Sequence, residues 1–229
     1  MDKQQSVDSS QISMMDRILT IPQYCIPQHI LSLMMYRLMH CEVKWLKNGL
    51  IRLISHLYKV NLAEAAETDL DFYPSFNAFF TRELKADARN IEQAQLVSPV
   101  DGEVSQAGRV TGGSIVQAKG HNYSVMSLLG GDDVLAKQFE GGQFATIYLS
   151  PKDYHRIHMP ITGKLIKMRY VPGDLFSVNQ RTARTVPNLF ARNERLVITF
   201  ETEIGAMVMV LVGAIFVGSR ETVWAGQVT

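Results

Sequence analysis

Two textures divide the chain. Between residues 28 and 59, apolar residues recur every three or four positions: Ile30, Leu33, Met34 and Leu38, then Leu46, Leu50, Leu53, Ile54 and Leu57. That spacing predicts one or two amphipathic helices. From Leu96 the pattern changes to short runs rich in Val, Ile, Phe and Tyr, such as "SIVQAKG", "FATIYLS", "GKLIKMRYVPG" and "RLVITFETEIGAMVMVLV". Gly, Pro and Asp punctuate them, so they predict strands, with tight turns at Asp101-Gly102 and Pro172-Gly173. Residues 61–95, with the Pro-led aromatic run "PSFNAFFTREL", read as further helix, and polar residues 1–13 as a frayed leader. The last run, "ETVWAGQVT", reads as a strand cut within a sheet. The pattern predicts an α+β protein, N-terminal amphipathic helices followed by an antiparallel-rich β core, divided into residues 1–13, 14–95 and 96–229.

Composition changes this picture little. A chain of 229 residues with 46% hydrophobic and 20% charged residues can bury a sizeable core. Its net charge of +1 gives no overall field for nucleic acid. Cys25 and Cys41 lack CxxC spacing and predict reduced thiols. No signal peptide is expected from the polar start. The stretch between Arg17 and Arg37 is free of charge, yet Pro22, Pro27, Gln23, Gln28 and His29 interrupt it, which argues against a span. Around the helices, Arg37, Lys44, Lys47, Arg52 and Lys59 face one acid, Glu42. A basic amphipathic surface of this kind either lies on an anionic membrane or is merely solvated against the rest of the fold.

Candidate chemistry concentrates in "SPKDYHRIHMP", residues 150–160. His155 and His158 titrate near neutral pH and serve as acid, base or metal ligand. Pro151 and Pro160 predict a loop at a strand end rather than a regular element. Two structural loop histidines would explain the pair as well. A metal reading lacks a third ligand in any familiar spacing, so no metal is expected. An acid–base reading needs a carboxylate to orient an imidazole, and Asp101 in "SPVDGEV" is the candidate.

The blocks "SPVDGEVSQ", "QAKGHNYSV", "YLSPKDYHRIHMP", "VPGDLFSVN", "PNLFARNERLV" and "VGAIFVGSRETVWAG", in this order, resemble phosphatidylserine decarboxylase of the bacterial type, and "FNAFFTREL" fits as well. The resemblance runs from about Met14 to Thr229. It implies a proenzyme that cleaves itself before the serine of a Leu-Gly-Ser motif, leaving a pyruvoyl group on a small α subunit. By motif, Asp101 and His158 would form the self-cleavage relay. His155 would serve as the acid/base of decarboxylation, in which the pyruvoyl ketone forms a Schiff base with phosphatidylserine and phosphatidylethanolamine is released with CO2.

The sequence departs from the family in one respect. Its two Gly-Ser pairs, Gly113-Ser114 and Gly218-Ser219, do not follow a leucine, and no Leu-Gly-Ser is present. The chain therefore reads as a β subunit cut short, its core incomplete at the C-terminus, inactive alone and unprocessed at 25.7 kDa. Expected partners are phosphatidylserine, the pyruvoyl α subunit of the same proenzyme and an anionic membrane surface. Residues 14–95 would be the membrane-associating region, peripheral on the cytoplasmic side of the cell membrane. Arg37, Lys44, Lys47 and Arg52 would each gain about 1 kcal/mol there. His121, Ser177 and Asn179 lie in family blocks but read as ordinary loop residues, and Asn193 and Glu194 as turn residues. Two rivals are a β-rich phosphocarrier using His155 and a non-enzymatic membrane-binding module.

Overall fold

The computed structural model describes residues 14–118, 121–215 and 221–228. The leader 1–13 and Gly218-Ser219 lie outside the described residues. Helix α1 (Met14–Thr20) runs into a 3-10 turn (Ile21–Tyr24) and is followed by α2 (Gln28–Met39) and α3 (Lys44–Tyr58). Pro27 sits at the N-cap of α2, and Lys59, at φ 55, ends α3 in the left-handed conformation.

The stretch 61–95 departs from the expected helix. It holds only a 3-10 turn (Leu62–Glu64) and the short α4 (Phe76–Phe80). Acidic side chains compete with helical bonding here: the amide of Asp69 donates to Glu67 and that of Asp71 to Asp69. Ser75 then caps α4 by accepting from the Ala78 amide.

The β region follows the predicted runs. β1 (Glu103–Arg109) pairs antiparallel with β4 (Gln143–Tyr148), and β2 (Ser114–Ala118) with β3 (His121–Ser124). Helices α5 (Val125–Leu128) and α6 (Asp133–Gln138) lie between β3 and β4. β5 (Gly163–Val171), β6 (Arg195–Thr202) and β7 (Gly205–Val212) form one antiparallel sheet with β6 central, and α7 (Gln180–Thr185) and α8 (Leu189–Arg192) fill the β5–β6 connection. In the final run β8 (Glu221–Thr222) and β9 (Gly226–Gln227) pair as a small antiparallel hairpin, with Gly226 at φ 64 following the turn.

Three apolar clusters hold the molecule together. One gathers Tyr123, Leu129, Phe176, Val186, Leu189 and Val197 between the sheets and α7–α8; a second places Leu196, Ile198 and Phe200 on the other face of β6. The third joins Ile51 of α3 to Tyr73, Phe76 and Phe79. Thus β6 is covered on both sides and α4 ties the helical layer together.

Two expectations about the helices and turns are corrected. On α3 the inward face carries Lys47, Asn48 and Ile51, while Trp45, Leu53 and Leu57 face out. Lys47 is 5% exposed and donates to the carbonyl of Leu70 and to Asn48. It is therefore no membrane-facing cation, because its ammonium satisfies interior acceptors. Asn193 is no turn residue either. Fully buried, its amide donates to the Phe176 and Gly213 carbonyls and accepts from the Phe176 amide. Gly173 explains the close fit: a Cβ there would collide with the Arg192 carbonyl oxygen.

Candidate active site

The histidine loop is fixed against the segment carrying Asp101. The amide of His158 donates to the Pro99 carbonyl at 2.8 Å, and that of Val97 to Pro160 at 3.0 Å. Ser150 and Asp153 close the preceding turn, with the Asp153 carboxylate accepting from the Ser150 amide. Arg156 clamps the loop to the end of α4 by donating to the Thr81 carbonyl and the Glu83 carboxylate. Gly102, beside Asp101, packs so closely on β4 that a Cβ would sit 2.6 Å from the Tyr148 carbonyl oxygen.

A pocket of about 150 Å3 opens at this seam between the helical layer and the ends of β1 and β4. Asp101, Tyr154, Asp153, Arg82, Arg89 and Lys152 are among the residues that line it. The Asp101 carboxylate is held by Arg89, whose Nη2 is 2.6 Å away and also reaches Glu64 at 2.8 Å. These two acids raise the Arg89 guanidinium above its ordinary value.

The imidazole of His158 is exposed and shares a 3.1 Å hydrogen bond with the Tyr154 hydroxyl. Burial raises the Tyr154 phenol. His158 is thus tied by its backbone to Pro99, two residues before Asp101, and its partner Tyr154 lines the pocket with Asp101. The carboxylate's own partner is Arg89 rather than the imidazole.

His155 has a different environment. Its Nδ1–H donates to the Asp153 carbonyl at 2.8 Å, and its ring packs on Phe80 with centroids 3.9 Å apart. Burial lowers its pKa, and this outweighs the bond to Asp153. Among the described residues no group of His, Cys, Asp or Glu is arranged to hold a metal ion.

The other loop candidates have structural roles. Asn179 caps α7 and donates to Ser177, and the Ser177 amide donates to Gln23. His121 opens β3. Sequence reasoning missed Arg82, which is 4% exposed and lines the pocket. A lone Arg after an aromatic run carries no sign of its own burial.

Comparison with known proteins shows the family. A family model described as phosphatidylserine decarboxylase matches residues 76–227, and one described as PSD matches residues 18–59. A phosphatidylserine decarboxylase proenzyme of Alcanivorax borkumensis is 54% identical over 221 residues, covering 95% of this chain and 76% of that relative. Those of Pseudomonas fluorescens and Azotobacter vinelandii are 55% and 53% identical over 218 residues, with 94% of this chain and 76% of each relative covered. Identity of that depth, sustained through both the helical layer and the pocket, means that the chain belongs to the phosphatidylserine decarboxylase family.

Proposed function

We propose that the protein decarboxylates phosphatidylserine to phosphatidylethanolamine, with the head group reacting at the pocket beside the histidine loop. The observation that carries this reading is the state of His155. A carbonyl oxygen only accepts, so the Asp153 carbonyl fixes the proton on Nδ1 and leaves Nε2 with its lone pair. Burial favours the neutral ring. A neutral, oriented imidazole can take a proton from the substrate ammonium and return it to carbon once CO2 has left.

The residues suit a pyruvoyl group, since amine attack on its ketone requires a base that is neutral at working pH. When present, that group supplies the electron sink that makes loss of CO2 feasible. It would be carried by a small α subunit of the same proenzyme, formed from a serine of a Leu-Gly-Ser motif that the 229 residues do not contain. Asp101 and His158 are the proposed relay for that maturation. The His158–Pro99 backbone bond supports it by holding the two side chains on adjacent segments. To orient the imidazole, the Asp101 carboxylate must exchange Arg89 for His158.

The substrate is a lipid, and the outer surface of the helical layer suits an interface. Met14, Ile18 and Ile21 are exposed, as are Ile30, Leu33 and Met34 on one face of α2. Arg37 and Arg52 are exposed as well. No described helix is long and apolar enough to cross a membrane. We place the protein peripherally on the anionic cytoplasmic face of the cell membrane, apolar side chains in the interfacial layer and arginines at the phosphates.

The test uses the chain extended through a Leu-Gly-Ser segment and carboxyl-labelled phosphatidylserine. His155→Ala is expected to mature normally and to lose about 10²- to 10⁴-fold in kcat. His158→Ala and Asp101→Asn are expected to remain uncleaved on a denaturing gel. Processing by His158→Ala but not by His155→Ala would reverse the two roles, and a matured chain that releases no labelled CO2 would overturn the function.

A further inference from the structure

Arg82 stands apart from the other cations of the pocket. It is 4% exposed, and its Nε and Nη1 have no hydrogen-bond partner among the described residues. Its Nη2 reaches only the Lys152 carbonyl, at 3.5 Å. The guanidinium lies over the Phe79 ring with its centre 5.1 Å from the centroid, so the aromatic floor of α4 holds it in place. Buried charge of this kind is costly unless something pairs with it.

The acids of the pocket do not provide that partner. Asp101 and Glu64 are engaged by Arg89, and the Asp153 carboxylate accepts from the Ser150 amide. Lys59 and Lys152 line the same space and add positive charge. A pocket of about 150 Å3 has room for one tetrahedral oxyanion. The arrangement is a receptor for an anion, with a planar donor fork suited to bidentate contact.

We propose that Arg82 binds the phosphodiester of the substrate head group, and that this contact positions the serine moiety beside His155. The proposal rests on the decarboxylase reading for the identity of the ligand. The head group offers two anions, and physical chemistry chooses between them. A guanidinium bound to the carboxylate would stabilise charge that disappears as CO2 departs, and so would favour the ground state over the transition state. A contact with the phosphodiester is unchanged by the reaction and serves only to hold the substrate. Arg82 is therefore a binding residue in this scheme, set next to the reacting atoms by the adjacent Phe79 and Phe80, which touch Arg82 and His155 respectively.

The experiment measures binding without turnover, on the full chain labelled with 15N at arginine side chains. Inorganic phosphate, glycerophosphoserine and glycerophosphoethanolamine are each expected to shift the Arg82 Nε–H resonance, assigned by its absence in Arg82→Lys. Free serine, which has the carboxylate but no phosphate, is expected to leave it unmoved. Phosphate affinity should fall about tenfold or more in Arg82→Met, the loss expected when a hydrogen bond to a charged group is removed, and less in Lys152→Gln. Because the wild-type resonance is read directly, the outcome stands even if Arg82→Met fails to fold. A resonance that ignores all three phosphate compounds, or that responds to serine but not to glycerophosphoethanolamine, overturns the proposal. A matured chain that binds phosphate through Arg82 yet releases no CO2 counts against the decarboxylase reading and leaves the anion site standing.

Discussion

At the scale of single residues, His155 makes the sharpest prediction. Its folded pKa lies below the ordinary histidine value because the ring is buried against Phe80. Between the lowered folded value and the unfolded value near 6.5, the unfolded chain binds more protons. Stability contributed by the neutral ring is therefore fully present above about pH 6.5 and falls as the pH drops through that window. Urea unfolding followed from pH 7 to pH 5 should show this loss, and His155→Phe, which retains an aromatic ring on Phe80, should flatten it. A 13C-histidine titration should put the His155 midpoint below 6.5. The sequence made the loop of His155 and His158 and the turn at Asp101 legible, because the prolines and the Asp-Gly pair already exclude a regular element there. It left Arg82 and Asn193 illegible. What matters for both is the absence or presence of distant partners, and Asn193 finds its acceptors at Phe176 and Gly213, on other segments.

At the scale of elements, periodicity located α2, α3 and most strands but did not say which side of α3 is inside. Helical spacing identifies an apolar stripe; it does not say whether that stripe meets protein or lipid. Here the inward face includes Lys47, and part of the apolar stripe, Leu53 and Leu57, is outward. Lys47→Met should cost about 1–3 kcal/mol in denaturant unfolding, because the Leu70 carbonyl and Asn48 lose their donor. Lys44→Gln should leave the unfolding midpoint nearly unchanged, since its pair with Asp71 is solvent-exposed. Vesicle co-sedimentation should divide the other way, weakened by Leu33→Ser with Met34→Ser and by neutralising Arg37 and Arg52, with unfolding unchanged. The helix expected over residues 61–95 failed for a local reason: Glu67 and Asp69 bond to nearby amides that a helix would have needed.

At the scale of the whole molecule, the helical layer is joined to the β region through polar contacts between residues far apart in sequence. Gln28 accepts from the Leu175 amide at 2.6 Å and Gln23 from the Ser177 amide at 2.9 Å. Asp16 pairs with Arg181 and Arg184 of α7, and Tyr24 meets Phe176 edge-on with ring centroids 4.9 Å apart. The glutamines that argued against a membrane span are thus cross-links between layers. Gln28→Ala should lower stability by about 1–3 kcal/mol, by stranding a buried amide, in thermal or urea unfolding.

The central position of β6 also orders the events of opening. Each edge of this strand is hydrogen-bonded to a neighbour, and its residues from Arg195 to Phe200 are buried. No fraying at a margin can release them, so their amides exchange only when the molecule opens globally. In deuterated buffer the backbone protons of β6 should be the last to disappear, while the short β8–β9 hairpin should be labelled early.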